Sequence, residues 1–237
     1  MATFVLIHGA WHGGWCWRSV VPGLRRAGHE VYAPSLTGMG ERKHLARPDI
    51  DLDTHIQDVV GLLEMEDLSG VILLGHSYGG MAVTGAADRA AARIRHLIYL
   101  DAFVPENGKC LLDYVVPERG ARMREEGERT GMVTPPPMAL WGLTRPEHLE
   151  FVGPREVKQS FATMAQPIRL INNPKPPATF IYCSSPATGS FDQFAAKYRN
   201  DPAWRFHELK TGHDAMLLMP EALTRILLDT EKGTARA

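Results

Sequence analysis

Gly70-Val-Ile-Leu-Leu-Gly75 runs straight into His76-Ser77-Tyr78-Gly79-Gly80, and an alanine-rich stretch from Met81 to Ala92 follows. An unbroken apolar run with β-branched residues reads as a strand covered on both faces. The small-residue stretch after it reads as a helix. The chain must therefore reverse within a few residues, with Ser77 at the apex of a sharp strand-to-helix turn. Gly75 and Gly79, two positions either side of the serine, leave room for strand and helix to approach closely. The start of the helix then offers free N–H groups and a partial positive potential beside the hydroxyl. A glycine-rich turn that holds a serine by chance is the plainer alternative, and the strand before and helix after argue against it.

The same alternation extends in both directions. Upstream, Thr3-Phe-Val-Leu-Ile7 is another apolar strand, followed by a glycine-rich loop from His8 to Trp15, a helix over Cys16–Ala27 ended by Gly28, and a short strand at Glu30–Ala33. Asp53 is placed to cap a helix that runs to about Asp67. Downstream, strands are expected at Arg95–Leu100, Ala178–Cys183 and Trp204–Glu208, with helices at Asp192–Tyr198 and from Glu221 onward. Short strands alternating with helices predict an α/β fold with a mostly parallel, doubly wound sheet of about six strands. Residues 103–177 break the pattern. They carry Pro135-Pro136-Pro137, many charges, two helical stretches (Arg119–Arg129 and Arg145–Gln166) and no convincing buried strand. The expected organisation is one scaffold made of residues 1–102 and 178–237, with 103–177 inserted after the strand ending near Asp101 as a helical cap or lid.

Composition narrows the function classes. The 237 residues carry 26 Lys and Arg against 27 Asp and Glu, a formal charge of -1, which argues against a nucleic-acid partner or a polybasic membrane surface. No apolar run approaches the length of a membrane span. Cys16, Cys110 and Cys183 are odd in number and far apart, so they suggest neither a disulfide framework nor a metal motif. No signal-peptide pattern opens the chain. These features favour a cytoplasmic location, as a monomer or homodimer.

A serine hydroxyl is a weak nucleophile without a base. Among the ten histidines, His213 in Thr211-Gly-His-Asp214 lies after the last strand and before the last helix, at the carboxyl edge of the sheet. His76 adjoins the serine, but neighbouring strand residues point to opposite faces, which makes it a poor base. A developing oxyanion needs two N–H donors. Tyr78, the residue after the serine, would give one, and Ala10 in the loop after the first strand would give the other.

Four motifs together resemble a known family: H-G-A-x-H-G-G-W-x-W at His8–Trp17, R-A-G-H-x-V at Arg26–Val31, G-H-S-Y-G-G at Gly75–Gly80, and G-H-D-A-M at Gly212–Met216. They resemble the α/β-hydrolase fold, nearest to the plant methylesterase and hydroxynitrile-lyase branch and its bacterial relatives. The resemblance implies a cofactor-free, metal-free serine hydrolase acting on small esters, with Ser77 as nucleophile, His213 as base, and Ala10 and Tyr78 as oxyanion donors. Two departures matter. The lyases carry a threonine at the position of Gly9 and a lysine at that of Asp214, so esterase chemistry is favoured over C–C cleavage. The family's usual acid position falls in Ser184–Gly189, which holds no carboxylate. Asp101, at the end of the neighbouring strand, is the leading replacement, and Asp192 is the alternative. A non-catalytic ligand receptor on the same fold is the third reading, which gains if neither acid serves.

The substrate pocket is expected to be apolar, lined by Trp11, Phe103, Trp141, Leu143, Phe161, Met164 and Met216, with Tyr78 nearby. Each of these would serve equally well as plain core. No cluster of arginines marks a clamp for a charged substrate. The expected substrate is therefore a small, largely uncharged carboxylic ester, with carbamates and amides as further candidates.

Overall fold

The computed structural model describes residues 1–172, 174 and 176–234. Eight strands are present among them: β1 (Thr3–Ile7), β2 (Glu30–Tyr32), β3 (Val71–His76), β4 (Ile94–Leu100), β5 (Met132–Val133), β6 (Gln159–Ser160), β7 (Ala178–Cys183) and β8 (Trp204–Leu209). Six of them form one sheet in the order β2-β1-β3-β4-β7-β8, and β5 pairs with β6 apart from it. Every pairing in the large sheet is parallel, so its connections cross over and the sheet is covered on both faces. The helices are α1 (Val21–Arg26), α2 (Leu52–Met65), α3 (Gly79–Arg89), α4 (Pro117–Thr130), α5 (Pro146–Val152), α6 (Ala162–Ala165), α7 (Asp192–Tyr198), α8 (Ala215–Leu218) and α9 (Pro220–Thr234).

Successive strand residues feed two separate cores, because strand side chains alternate between faces. Phe4, Leu6, Ile72, Leu74, Ile98 and Leu100 pack on one face with Leu24 of α1 and with Leu223 and Leu227 of α9. Val5, Ile7, Val71, Leu73, Leu97 and Tyr99 pack on the other with Ile56, Val59 and Leu63 of α2, with α3, and with residues of the 103–177 segment. All six residues of β3 are buried, which is why its sequence admits no polar break before His76. Each large apolar side chain so buried contributes about 1.5–3 kcal/mol.

Several local expectations are corrected. The first helix is shorter than Cys16–Ala27: a 3-10 turn at Gly14–Trp17 precedes α1, whose Pro22 sits in the first turn where a missing N–H costs nothing. Asp51, not Asp53, caps α2, its carboxylate accepting the Thr54 N–H at 2.8 Å. Arg145–Gln166 is not one helix. Gly153-Pro154 ends α5 in a 3-10 turn, and the chain then forms β6 and the short α6. The β5–β6 pair has only two residues per strand, too short for any periodicity to announce it.

Candidate active site

The turn after β3 places Ser77 as steric logic requires. Its φ is +53°, a left-handed conformation that costs a non-glycine residue about 1–3 kcal/mol. Surrounding bonds hold it there: the Ser77 N–H donates to the Leu100 carbonyl at 3.2 Å, and the Ser77 carbonyl accepts from Phe103 N–H at 3.2 Å. A Cβ at Gly75 would lie 2.6 Å from the Gly79 carbonyl oxygen, and one at Gly79 would lie 2.7 Å from that of His8. A side chain at Gly80 would run into the Phe103 carbonyl. These glycines let β3, α3 and the neighbouring loops meet backbone to backbone.

His213 lies in the loop between β8 and α8, fully enclosed. Its Nδ1 is 2.6 Å from Oδ2 of Asp101, and Oδ1 of Asp101 accepts the Cys183 N–H at 3.1 Å. Both carboxylate oxygens therefore accept, His213 carries its proton on Nδ1, and Nε2 keeps a free lone pair. Burial lowers the His213 pKa to about 4; Asp214 opposes the shift, while His12 and Arg119 reinforce it. The ring is neutral at pH 7. Burial pushes Asp101 upward, against the stabilising Cys183 N–H. Asp101 itself has φ +41°, so the end of β4 is bent to reach the histidine. Asp192 is elsewhere: it is exposed and accepts the Tyr182 hydroxyl at 2.8 Å.

A second buried network braces this one. His12 Nδ1 lies 2.9 Å from the Ala10 carbonyl, and its Nε2 lies 3.1 Å from Oδ2 of Asp214. A carbonyl and a carboxylate only accept, so both ring nitrogens donate and His12 is an imidazolium. Burial opposes that charge, but the Asp214 charge and hydrogen bond outweigh it and raise the His12 pKa. The same pairing holds Asp214 below its ordinary range despite burial. His76 Nε2 donates to the His213 carbonyl at 3.2 Å. The loop after β1 is thus tied to the loop carrying His213. His76, His213 and Asp214 are close enough together to share a cation, but these are the groups whose hydrogen bonds build the network just described.

The loop after β1 is fixed from above as well. Trp11 has φ +62°; its backbone N–H donates to Gln159 Oε1 at 3.0 Å and its indole N–H to the Val133 carbonyl at 2.9 Å. The β5–β6 pair, which supplies both acceptors, therefore sets the position of this loop. Among the described residues, the N–H groups of Ala10 and Tyr78 have no protein acceptor. Such free donors are what an oxyanion site consists of.

A small apolar chamber opens over Ser77, lined by Ala10, Trp11, Tyr78, Phe103, Trp141 and Met164 among others. The His213 ring stacks on Phe191 at 4.9 Å and tilts against Trp141 at 5.0 Å, both of them chamber walls. Leu143, Phe161 and Met216 do not line it. Leu143 is fully buried in the core below, and Phe161 packs against Gly127 of α4. Met216 sits in the core on the opposite face of the sheet. The residues missed are Leu111, Val115, Arg119, Met123, Ser190 and Phe191. Arg119 and Met123 stand one turn apart on α4, an i, i+4 pair that a helical reading of 119–129 could have placed on one face. The sequence offers no cluster of arginines, and the chamber wall holds a single one, Arg119.

With this geometry in view, similarity to known proteins is informative. Residues 4–228 match the alpha/beta hydrolase family. The chain belongs to that family. Within the alpha/beta hydrolase family it is 41% identical over 239 residues to a carbendazim hydrolyzing esterase from Nocardioides sp. (strain SG-4G), covering 96% of this chain and 98% of that one. It is 41% identical over 108 residues to salicylic acid-binding protein 2 of Nicotiana tabacum, 44% of this chain and 40% of the other. Among solved structures, an extracellular alpha/beta-hydrolase from a Paenibacillus species superposes with a TM-score of 0.85 at 22% identity, covering 97% and 98% of the two chains. An Arabidopsis methylesterase superposes with a TM-score of 0.80 at 25% identity, covering 98% and 99%. These structural likenesses concern the fold.

Proposed function

We propose that the protein is a serine carboxylesterase that works through an acyl-enzyme. The 2.6 Å bond between His213 Nδ1 and Asp101 carries this reading, because it fixes the proton of the neutral ring on Nδ1 and leaves a basic Nε2 beside the chamber that holds Ser77. Ser77 Oγ attacks the ester carbonyl and its proton passes to His213 Nε2. The N–H groups of Ala10 and Tyr78 hold the negative oxygen. His213 then protonates the departing alcohol. Water attacks the acyl-serine with His213 again as base, which releases the acid and restores the hydroxyl.

The similarity along nearly the whole chain to a carbendazim-hydrolysing esterase supports ester cleavage and makes carbendazim itself a candidate substrate. The apolar chamber favours small, mostly uncharged acyl and alcohol groups, with carbamates and amides as further candidates. The 103–177 segment acts as the cap over this chamber. Three buried, unpaired cysteines accord with a reducing, cytoplasmic setting, and no helix among the described residues is long and apolar enough to cross a membrane. The lyase reading loses support at Gly9, where an added Cβ would sit 2.8 Å from His76 Nδ1, and at Asp214, which is held by His12.

The test is hydrolysis of p-nitrophenyl acetate, carbamate esters and carbendazim by the wild type beside Ser77→Ala. A stoichiometric burst of p-nitrophenol that vanishes in the variant is expected. Ligand binding with no turnover of any ester would favour the receptor reading instead.

A further inference from the structure

Arg119 is an anomaly in the chamber wall. It is half-buried on α4, among Trp11, Phe103, Met123, Trp141 and Phe191. Its guanidinium donates to the Thr188 carbonyl at 3.1 Å and to the Ser190 hydroxyl at 3.4 Å. Both acceptors are uncharged. Among the described residues, no carboxylate lies within ion-pair distance of it. A guanidinium has five N–H donors, so two hydrogen bonds leave capacity for more. Burial without a counter-charge also lowers its pKa, as expected of a cation that has lost water and gained no anion.

The position of Arg119 gives that capacity a use. A wider groove lies outside the chamber, lined by Val116, Arg122, Pro135, Pro136 and Leu140 among others. Trp11, Arg119 and Met123 line both spaces and stand between them. An ester with its carbonyl at Ser77 and its far end toward the groove passes Arg119. The groove itself is mixed in charge, with Glu118 and Glu126 beside Arg119 and Arg122, and Glu126 is engaged by the Thr134 hydroxyl and N–H. Among the described residues, discrimination by charge thus falls to Arg119, the cation that lines the apolar chamber as well as the groove.

We propose that Arg119 is a specificity-determining residue, and that it binds a carboxylate carried by the substrate at the end remote from the scissile bond. The favoured class is then a half-ester of a dicarboxylic acid, such as a methyl ester on a carboxylated aromatic ring. This inference rests on the esterase reading and departs from its uncharged substrate at one point: the groups around the scissile bond stay apolar, and a charge is placed at the far end of the ester. A carboxylate is the group that uses the guanidinium in full, accepting two parallel N–H bonds and supplying the missing charge. It also couples to the chemistry. The Arg119 charge depresses the basicity of His213, so an anion bound on Arg119 relieves part of that depression when the base is needed.

The experiment compares monomethyl terephthalate and monomethyl isophthalate with the methyl 4- and 3-nitrobenzoates, which match them in shape and lack the charge. Wild type, Arg119→Met, Arg119→Lys and Ser190→Ala are assayed, and the readout is the ratio of kcat/KM between charged and neutral partners. The wild type is expected to favour the carboxylate in at least one series. Arg119→Met should reduce that ratio by about tenfold or more, chiefly through KM, as loss of a hydrogen bond to a charged group does. Arg119→Lys should retain part of the preference. Ser190→Ala, which loosens the tether and keeps the cation, should retain it in full. Arg119→Met should also move the acid limb of the neutral-ester profile to higher pH, a change that loss of a mere tether would not cause. The proposal is overturned if the wild type disfavours both carboxylates, or if Arg119→Met leaves the ratio unchanged. If the wild type turns over none of these esters and no p-nitrophenyl acetate, the esterase reading fails and this inference fails with it. Turnover of neutral esters with an unaltered ratio sinks the Arg119 role alone.

Discussion

Asp101→Asn is the substitution on which the geometry speaks most sharply. The carboxylate accepts from two donors, the Cys183 N–H at 3.1 Å and His213 Nδ1 at 2.6 Å. Asparagine has one acceptor oxygen and one NH2 group, so it cannot satisfy both. If its oxygen stays on Cys183, the NH2 faces His213 and forces the proton from Nδ1 to Nε2. The base is then blocked on the side it must use, and kcat is expected to fall by about 10⁴, or roughly 5.4 kcal/mol at about 1.36 kcal/mol per decade. If the amide turns over, its NH2 opposes the Cys183 N–H and leaves a buried donor unmet, at about 1–3 kcal/mol of stability. The two orientations are separable, since the first spares the melting temperature and the second spares the tautomer. The assay is steady-state hydrolysis of p-nitrophenyl acetate, with thermal melts beside it. Asp192→Asn is the control, and its exposed site predicts a change within about twofold. An Asp101→Asn enzyme that melts normally and keeps more than a tenth of its kcat would show that His213 does not depend on Asp101 for its tautomer.

Two further predictions concern protons. Because His213 must be neutral to act and burial lowers its pKa to about 4, kcat/KM should hold as pH falls past 6 and drop only near 4; a midpoint near the ordinary 6.5 in a stopped-flow pH-jump profile would contradict this. Asp214→Asn breaks a fully buried ion pair and should cost about 3–5 kcal/mol in urea melts. The depressed Asp214 contributes stability that is lost as pH falls below its ordinary 3.8, and the raised His12 contributes stability that is lost as pH rises through its folded value above 6.5. The wild type should therefore lose this contribution at both extremes, and the variant should lack both limbs.

Much of this arrangement was legible in the sequence, for identifiable reasons. The β3–Ser77–α3 turn could be read because burial on both faces leaves no polar residue in the strand and backbone contact leaves only glycine beside the serine. Asp101 could be read because the loop after β7 has no acid and β4 lies next to both β3 and β7. The pocket was harder. Met216 and Phe103 look alike as apolar residues near catalytic motifs, yet they lie on opposite faces of the sheet, a matter of three-dimensional winding. The role of β5–β6 in holding Trp11 depends on contacts across more than 120 positions in sequence, as with Trp11 Nε1 and Val133. His12 shows the same limit: a histidine in a glycine-rich loop carries no mark that its charge is fixed by Asp214 at the far end of the chain.

In the proposed mechanism Ser77 is the nucleophile and carries the acyl group. Treatment with a fluorophosphonate probe, followed by intact-mass measurement and peptide mapping, tests it directly. One adduct per chain is expected, on the peptide containing Ser77, with activity lost in step with labelling and both label and activity absent in Ser77→Ala. Esterase activity that survives in Ser77→Ala, or a label that maps to another residue, would contradict it.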